Sequence, residues 1–560
     1  MGNKVRVGVF LCGCKEVITG TVNFGRIIAE IKKTSSVQYI RESQHLCACL
    51  EGELMAAEIK KYRLNRIVVV GCSGPRQEKF FTSVLEKVGL NLHFFTMVNL
   101  REECRLVHPK SVQATAKALR QVKRGIARLV KMDEVSCEVV KVNRTVLIIG
   151  SGIAGIETAL EVAAKGLKVI IIEREEFPGG NLTKINSVYG IDSKPSEILK
   201  EKLALLKANS DINLMTSTNV IDIDGNVGNF TVYLENEGQE FSVKVGSIVV
   251  ATGLQTIFCS VKYGLGIADN LLGLAKLEHY LLQGKDFTKK KISFVIGKTG
   301  ENFNLPFIVA LKNALYLKTR FDAEIYVFYS NIKVAGDNWE ALYTEARDAG
   351  IRFYKFTEKL NITVDNGEVT ISYEDPLLAA KIPGNYRIVC DLAILPEEIV
   401  PSDGTEELAG MLDIELGPDY FLGPDNVHLF SEYTSREGIY LAGSCQKPSL
   451  LPEIMIQAKT VAADIYKKLR TEEVKVEYMQ PYVDASKCVV CLTCYRCCPH
   501  KAITIAYDRQ FNNLYRSAAQ VNPLACRRCG ICAAECPAKA IHLPGYTDLQ
   551  ILAQLDALEV

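Results

Sequence analysis

Between Cys488 and Cys536 one cysteine pattern occurs twice. Cys488, Cys491, Cys494 and Cys498 return at Cys526, Cys529, Cys532 and Cys536, each 38 positions later, and proline follows the last cysteine of both copies. Nine of the chain's 19 cysteines fall within these 49 residues. Such density means either disulfides or metal. Met1 to Arg6 opens without an apolar leader, and Arg6 stands where a myristoylation signal needs Ser or Thr. The longest uncharged stretch, Val245 to Val261, is too short and too polar to span a membrane. A cytoplasmic chain is therefore expected, in which thiols stay reduced and clustered cysteines bind metal rather than each other.

Three thiolates at two-residue intervals hold three corners of an iron–sulfur cubane, while the fourth, before proline, reaches the neighbouring cubane. One [4Fe-4S] cluster is expected on Cys488, Cys491, Cys494 and Cys536, and a second on Cys526, Cys529, Cys532 and Cys498. This crossed repeat has the spacing of bacterial two-cluster ferredoxins and favours iron and sulfide over zinc, the competing metal for tetrahedral thiolates. Cys497 is expected as a bystander and His500 as a surface residue.

A second motif lies upstream. Thr145 to Ile149 reads as a strand, Gly150-Ser151-Gly152-Ile153-Ala154-Gly155 as a tight turn, and the residues to about Lys165 as a helix before a strand at Val169 to Ile172. The first glycine serves the turn, the second lets backbone approach a pyrophosphate, and the third allows helix and strand to pack. The phosphates would meet the helix N-terminus. Glu173, ending the second strand, would hydrogen-bond a ribose. Glu173-Arg174 leading to Pro178-Gly179-Gly180-Asn181, then Ala251-Thr252-Gly253, then Ala442-Gly443-Ser444 with Gln446, resemble the separated signatures of two-dinucleotide-domain flavoproteins. That resemblance implies FAD, held by Gly150, Gly152, Ile153, Ala154, Gly155, Glu173, Arg174, Gly180, Asn181, Ala251, Thr252, Gly253, Gly443, Ser444 and Gln446.

Such flavoproteins place a nicotinamide cofactor on a second glycine fingerprint. Val295-Ile296-Gly297-Lys298-Thr299-Gly300 lacks its spacing. No Cys-x-x-Cys pair precedes Cys488, so Cys259, Cys390 and Cys445 are expected as small buried hydrophobes, with Cys445, beside a flavin motif, the foremost exception. No residue is assigned a catalytic role.

At roughly 150 residues per domain, 560 residues suggest three to four domains. With 48% hydrophobic and 23% charged residues the chain is not disordered. Its 66 Lys and Arg against 65 Asp and Glu create no global field for nucleic acid or an anionic membrane. In the first domain Val5 to Leu11, Ile67 to Val70 and Leu92 to Val98 read as strands of a parallel sheet, and Ala116, Leu119, Val122, Ile126 and Leu129 stripe a basic helix. Lys123, Arg124, Arg128 and Lys131 are expected on its solvated face. Asp133 to Asn143 reads as a polar connector. Cys12, Cys14, Cys47, Cys72 and Cys104, with Cys49, are six cysteines in about a hundred residues, several at strand ends that share one sheet edge. They point to a third cluster whose four ligands remain open.

The expected fold is α/β: a thioredoxin-reductase-like two-dinucleotide-domain FAD fold, preceded by an amino-terminal α/β domain and followed by a bacterial-type two-cluster ferredoxin domain. The boundaries are 1–132; 143–290 with 400–472 for the split FAD domain; 291–399 for the insertion; 480–545 for the ferredoxin domain; and 546–560 for a tail helix.

Cys12-Gly13-Cys14, Gly71-Cys72-Ser73, Arg101-Glu102-Glu103-Cys104 with His108, Ala310-Leu311-Lys312-Asn313-Ala314 and Gly443-Ser444-Cys445-Gln446-Lys447-Pro448 together resemble the A-type flavin and iron–sulfur subunit of heterodisulfide reductase. The resemblance covers nearly the whole chain. It implies an oxidoreductase component of an anaerobic complex that carries FAD and several [4Fe-4S] clusters and converts between electron pairs and single electrons. The implied partners are B-type and C-type subunits, a hydrogenase, ferredoxin or another electron donor, and a second copy of the chain. Two features depart from the family: the region from Phe294 to Ile308 lacks its cysteine-rich stretch and extra ferredoxin insertion, and Cys49 is additional. Flavin-based bifurcation is therefore a weaker expectation than relay. The rival reading is a self-contained NAD(P)H-dependent flavin oxidoreductase with a ferredoxin domain.

Overall fold

Strands covered on both faces carry unbroken apolar runs, and those covered on one face alternate. The computed structural model describes residues 4–558 apart from 73, 109, 135–137, 300–302, 335, 337, 358–359, 366, 376–383, 385, 430, 477–479 and 512–513. Ser73, Gly300 and the last two tail residues therefore lie outside the described residues. The chain forms two units, Met1–Val140 with Lys475–Val560, and Lys141–Val474.

The first unit begins with a parallel sheet, in the order β2 (Val37–Ser43), β1 (Val7–Cys12), β3 (Arg66–Gly71), β4 (Phe95–Asn99). Every residue of β1 is buried. Its Val7, Val9 and Leu11 pack with α1 (Phe24–Ile31) and α4 (Ser111–Val130), while Phe10 and Cys12 face α2 (Cys49–Lys61) and α3 (Pro75–Lys87). The two-residue side-chain period of a strand thus feeds two cores. The expected strand at Leu92 to Val98 is divided. Asn91 accepts the His93 amide with its side chain and opens a short turn at Leu92–Phe94, so β4 begins only at Phe95. The buried stripe of α4 is Ala114, Ala118, Val122, Ile126 and Leu129, with Ala116 and Leu119 half-buried at its side. The connector holds a short strand, Glu138–Lys141.

The far end of this unit contains two antiparallel pairs, Tyr482–Val483 with Ile541–His542 and Ile503–Phe511 with Leu514–Val521, and the short helices Thr493–Cys497 and Ile531–Ala534. The duplication extends to the backbone. Val490, Leu492 and Lys501 are left-handed, as are Arg528, Gly530 and Lys539, each 38 residues on. The tail helix Asp548–Asp556 docks on α4. Arg128 Nε donates to the Gly545 carbonyl at 3.1 Å, its guanidinium lies 4.6 Å from the Tyr546 ring centroid, and buried Gln550 donates to the Lys131 carbonyl at 3.2 Å. Arg128 therefore secures the tail rather than standing on a solvated face.

In the second unit five parallel strands run in the order Ile439–Leu441, Ser247–Val250, Thr145–Ile149, Lys168–Ile172, Ile212–Met215. The chain builds outward on one side from Thr145–Ile149 and then returns to its other side, which creates a switch point. A second parallel sheet has the order Leu271–Gly273, Leu392–Leu395, Lys291–Ile296, Glu324–Tyr329, Arg352–Lys355. The antiparallel pair Leu254–Ile257 with Glu398–Pro401 belongs to the same unit. Among the described residues no helix is long and apolar enough to cross a membrane.

Candidate cofactor and cluster sites

Three of the flavin motifs emerge at the carboxyl ends of adjacent parallel strands. Gly150 follows Thr145–Ile149, Ala251-Thr252-Gly253 follows Ser247–Val250, and Ala442-Gly443 follows Ile439–Leu441. Ligands of open α/β sheets bind at this edge. The glycines divide the work sterically. Gly150 has φ +106°, and a Cβ there would lie 2.5 Å from the Ala251 carbonyl oxygen. A Cβ on Gly155 would lie 2.0 Å from the Gly150 carbonyl oxygen, whereas one on Gly152 would meet nothing within 4 Å. Gly152 alone of the three faces open space, at the N-cap of the Ile153–Ala163 helix. That is the place for an anion.

The other expected residues close round this turn. Gly179 donates to the Ser151 carbonyl at 3.0 Å, and a Cβ on Gly180 would come 3.1 Å from the Gly152 Cα. Asn181 Nδ2 donates to the Leu254 carbonyl at 2.9 Å, and Arg174 donates to the Asp403 carbonyl. Glu173 Oε2 accepts from Ser151 N at 2.8 Å and Ser151 Oγ at 2.7 Å, so the acid braces the turn as well as ending its strand. A Cβ on Gly443 would strike the Ala154 Cβ at 2.6 Å, and Gln457 Oε1 accepts the Gly443 amide at 2.9 Å. Ser444 Oγ accepts from Ser449 N. Thr252 Oγ1 and Gln446 Nε2 are buried with no protein hydrogen-bond partner. Buried polar groups are seldom left unpaired. An open glycine at a helix end together with two orphaned polar atoms fits a bound dinucleotide.

Cys445 is not an exception among the buried thiols. Its Sγ donates to the Val250 carbonyl at 3.1 Å, and burial pushes its pKa up to about 12. Cys390 is likewise buried and raised to about 11, whereas Cys259 is half-exposed rather than buried. At the second sheet, Gly297 has φ +84° and its Cβ would lie 2.0 Å from Ser330 Oγ. Lys298 turns its ammonium onto the Leu360 carbonyl, and burial lowers its pKa. Lys312, inside the Ala310–Ala314 stretch that resembles the family, is a residue whose role spacing does not reveal. Its ammonium donates to the Ser187 carbonyl at 2.7 Å and pairs with buried Glu278, whose other oxygen accepts the Asn186 amide at 2.7 Å.

The eight ferredoxin cysteines line two cavities. Cys488, Cys491, Cys494 and Cys536 surround one, and Cys498, Cys526, Cys529 and Cys532 the other. The crossed sets are brought together by the fold. Burial raises the Cys494 thiol, with Cys488, Cys491 and Cys536 nearby adding to the shift. Cys532 is raised to about 12 by burial, with Cys526, Cys498 and Cys529 among its neighbours. Backbone amides approach the sulfurs: Ala502 N donates to Cys498 Sγ at 3.4 Å, and Ala540 N to Cys536 Sγ at 3.2 Å. Among the described residues no group of three or more His, Cys, Asp or Glu is arranged to hold a single metal ion. His500 is half-buried and lines the second cavity at the position that Ala538 holds in the first. Cys497 Sγ donates to the Cys494 carbonyl.

The amino-terminal cysteines separate into a group and two outliers. Gly13 donates to the Ser43 carbonyl and Lys15 to the Gln44 carbonyl, which ties the end of β1 to the segment before Cys47. A Cβ on Gly71 would lie 3.0 Å from the Cys12 Cβ, which leaves Cys72 beside Cys12. Burial raises Cys72, with Cys14, Cys12 and Cys47 close enough to add to it. Cys14, Lys15 and Glu16 are consecutively left-handed, a conformation that non-glycine residues keep only when their surroundings enforce it. Cys104 is fully buried against α4, raised to about 11 by burial, and has Lys117 and Glu103 as its charged neighbours rather than another cysteine. Cys49 begins α2 and is exposed.

Comparison with known proteins accords with this arrangement. The model of the pyridine nucleotide-disulphide oxidoreductase family matches residues 144–297, and that of the 4Fe-4S dicluster domain matches residues 455–541. The first of two A-type iron-sulfur subunits of the CoB–CoM heterodisulfide reductase of Methanopyrus kandleri is 27% identical, with 100% of this chain and 98% of the relative covered. The A-type subunit of the H2/formate:CoB-CoM heterodisulfide, ferredoxin reductase of Methanococcus maripaludis is 27% identical, covering 99% and 98%. The first alignment spans 668 positions, more than this chain has residues, so that relative carries segments absent here. Among solved structures, Lactococcus lactis thioredoxin reductase is 19% identical with a TM-score of 0.42, covering 59% of this chain and 99% of its own. The resemblance read in the sequence thus extends over the whole chain, which is similar throughout to A-type subunits of heterodisulfide reductase and is an oxidoreductase that joins a domain of the pyridine nucleotide-disulphide oxidoreductase type to a carboxy-terminal 4Fe-4S dicluster domain.

Proposed function

We propose that this chain is the flavin and iron–sulfur electron-transfer subunit of a heterodisulfide-reductase-like complex. The observation that carries the reading is the presence, on one polypeptide, of three flavin motifs at one sheet edge and two cavities each lined by four crossed cysteines. When bound, FAD and [4Fe-4S] clusters supply paired and single-electron chemistry respectively. Gly152 and the helix behind it receive the pyrophosphate. Glu173 faces the ribose, and Thr252 and Gln446 offer their unpaired atoms to the cofactor. Two clusters sit on the crossed cysteine sets. A third sits on Cys12, Cys14, Cys47 and Cys72, with Cys104 and Cys49 outside it. The domains are those read from the sequence, 1–132, 143–290 with 400–472, 291–399, 480–545 and 546–560.

Partner subunits of the B and C type, a hydrogenase or ferredoxin complete the complex, and relay between paired and single electrons is the activity. Division of each pair between two acceptors, as the paired acceptors in the M. maripaludis relative's name imply for that protein, is its finer form. The test is anaerobic purification from the native cell, with flavin, iron and co-purifying chains identified. One FAD and about twelve irons per chain are expected, falling to about eight in Cys47→Ser and unchanged in Cys104→Ser. A flavin spectrum without a paramagnetic cluster signal after dithionite overturns the reading. Bleaching of the flavin by NADH in the isolated chain favours the self-contained oxidoreductase instead.

A further inference from the structure

The two copies of the cysteine motif present the same corner to solvent with opposite chemistry. The second cysteine of each copy, Cys491 and Cys529, is exposed, and the other six are half-buried or buried. Cys491 stands between Val489, Val490 and Leu492, with Val489 67% exposed. At the positions 38 residues on, Cys529 stands between Arg527, Arg528 and Gly530, and both arginines are exposed. The backbone is left-handed at both corners, with φ +54° at Val490 and +58° at Arg528, so the contrast lies chiefly in the side chains.

Charge reinforces it. Residues 480–545 hold eight Lys and Arg against three Asp and Glu, although the whole chain is nearly neutral at 66 against 65. Of the three acids, Asp484 is ion-paired with Lys487 at 3.2 Å, and Glu535 lies near Cys497. A cationic rim around an exposed cluster ligand attracts an acidic surface and orients it with its own redox centre inward. Nucleic acid or an anionic membrane would draw on a broad positive stripe instead of a rim centred on a thiolate.

Resting on the functional reading above, we propose that the Cys529 corner, framed by Arg527 and Arg528, docks a small one-electron carrier protein whose surface is acidic around its own cluster. One electron passes between the carrier's centre and the cluster on Cys526, Cys529, Cys532 and Cys498. As one is oxidised the other is reduced, and no bond or proton moves.

The test uses the full chain, purified anaerobically with its cluster signals verified, and an acidic bacterial two-cluster ferredoxin as probe. Binding of the oxidised ferredoxin to the oxidised chain is measured by calorimetry at low and high salt, so that no turnover enters the readout. Arg527→Gln/Arg528→Gln is expected to weaken low-salt binding about tenfold or more and to flatten its salt dependence. Arg527→Lys/Arg528→Lys should retain most of the affinity. Lys200→Gln/Lys467→Gln, which removes the same charge from exposed helix positions in the other unit, should stay within about twofold of the parent. Unchanged binding in the paired glutamine variant, or an equal loss in the lysine control, overturns the proposal. So does a loss of affinity for duplex DNA or phosphatidylserine vesicles with ferredoxin binding intact. Failure of the functional reading looks different: the parent chain then lacks cluster signals and exchanges no electrons with ferredoxin at any salt.

Discussion

Gly152 and Gly155 sit three residues apart in one turn and meet opposite surroundings. A methyl group on Gly152 enters open space, and its backbone, at φ −67°, tolerates any residue. A methyl group on Gly155 collides with the Gly150 carbonyl. Gly152→Ala should therefore leave the melting temperature of the flavin-free chain unchanged while weakening FAD binding by about tenfold, or about 1.4 kcal/mol. Gly155→Ala should destabilise the chain itself by about 1–3 kcal/mol, since the helix must move off its strand. Thermal unfolding with and without FAD separates the two, and equal effects at both glycines would refute this division. The motif is legible in the sequence because glycine is the one residue that fits both places. Cys445 departs from its expected exception because nearness to a flavin motif in sequence says nothing of orientation. Its thiol turns into the sheet, donates to the Val250 carbonyl and, with its pKa near 12, stays protonated and unreactive at neutral pH.

At the level of elements, a buried ion pair joins the helix Leu305–Phe321 to the helix Leu274–Leu282, and both of its members hydrogen-bond the segment after Gly180-Asn181. Lys312 reaches the Ser187 carbonyl and Glu278, and Glu278 accepts the Asn186 amide. Both side chains are nearly inaccessible, at 10% and 2% exposure, so neither charge has water to turn to. Lys312→Met should cost roughly 3–5 kcal/mol by stranding the carboxylate, and Lys312→Met/Glu278→Gln should recover most of it while keeping an acceptor for Asn186. Denaturant unfolding of the parent, the single variants Lys312→Met and Glu278→Gln and the double variant measures the coupling, and additive losses would show the pair to be incidental. Strands with continuous apolar runs, such as Thr145–Ile149, are readable at this scale. The edge strand β2 is not, because its Val37–Ser43 sequence mixes charged with apolar residues and acquires strand pairing only beside β1. The tail helix is also readable, but its dependence on Arg128 and Lys131, some 400 residues away, is not.

For the molecule as a whole, the ferredoxin segment and the flavin unit differ in what holds them together. The segment's core comprises Cys494, Ile503, Ala519, Cys532 and Ile541, with Cys488, Cys498 and Cys536 packed against it, so much of its interior consists of the cysteines proposed as cluster ligands. The flavin unit has long apolar strands and helices of its own. Binding free energy for the clusters is then folding free energy for the segment. After the clusters are stripped with chelator, amide exchange across 482–545 is expected to approach unprotected rates while the Thr145–Ile149 sheet remains protected. Protection retained in 482–545 would show that its core closes without iron and sulfide.

Spacing and residue type alone specified the crossed cysteine sets, the dinucleotide turn and the order of the modules, because a cubane corner and a phosphate cradle each demand particular atoms at short range along the chain. Long-range choices required the folded chain. Cys12, Cys14, Cys47 and Cys72 converge because β2, β1 and β3 end at one edge, whereas Cys104, equally plausible by spacing, is turned into the core against α4. Burial and side-chain direction arise from packing between segments far apart in sequence, and no local pattern encodes them.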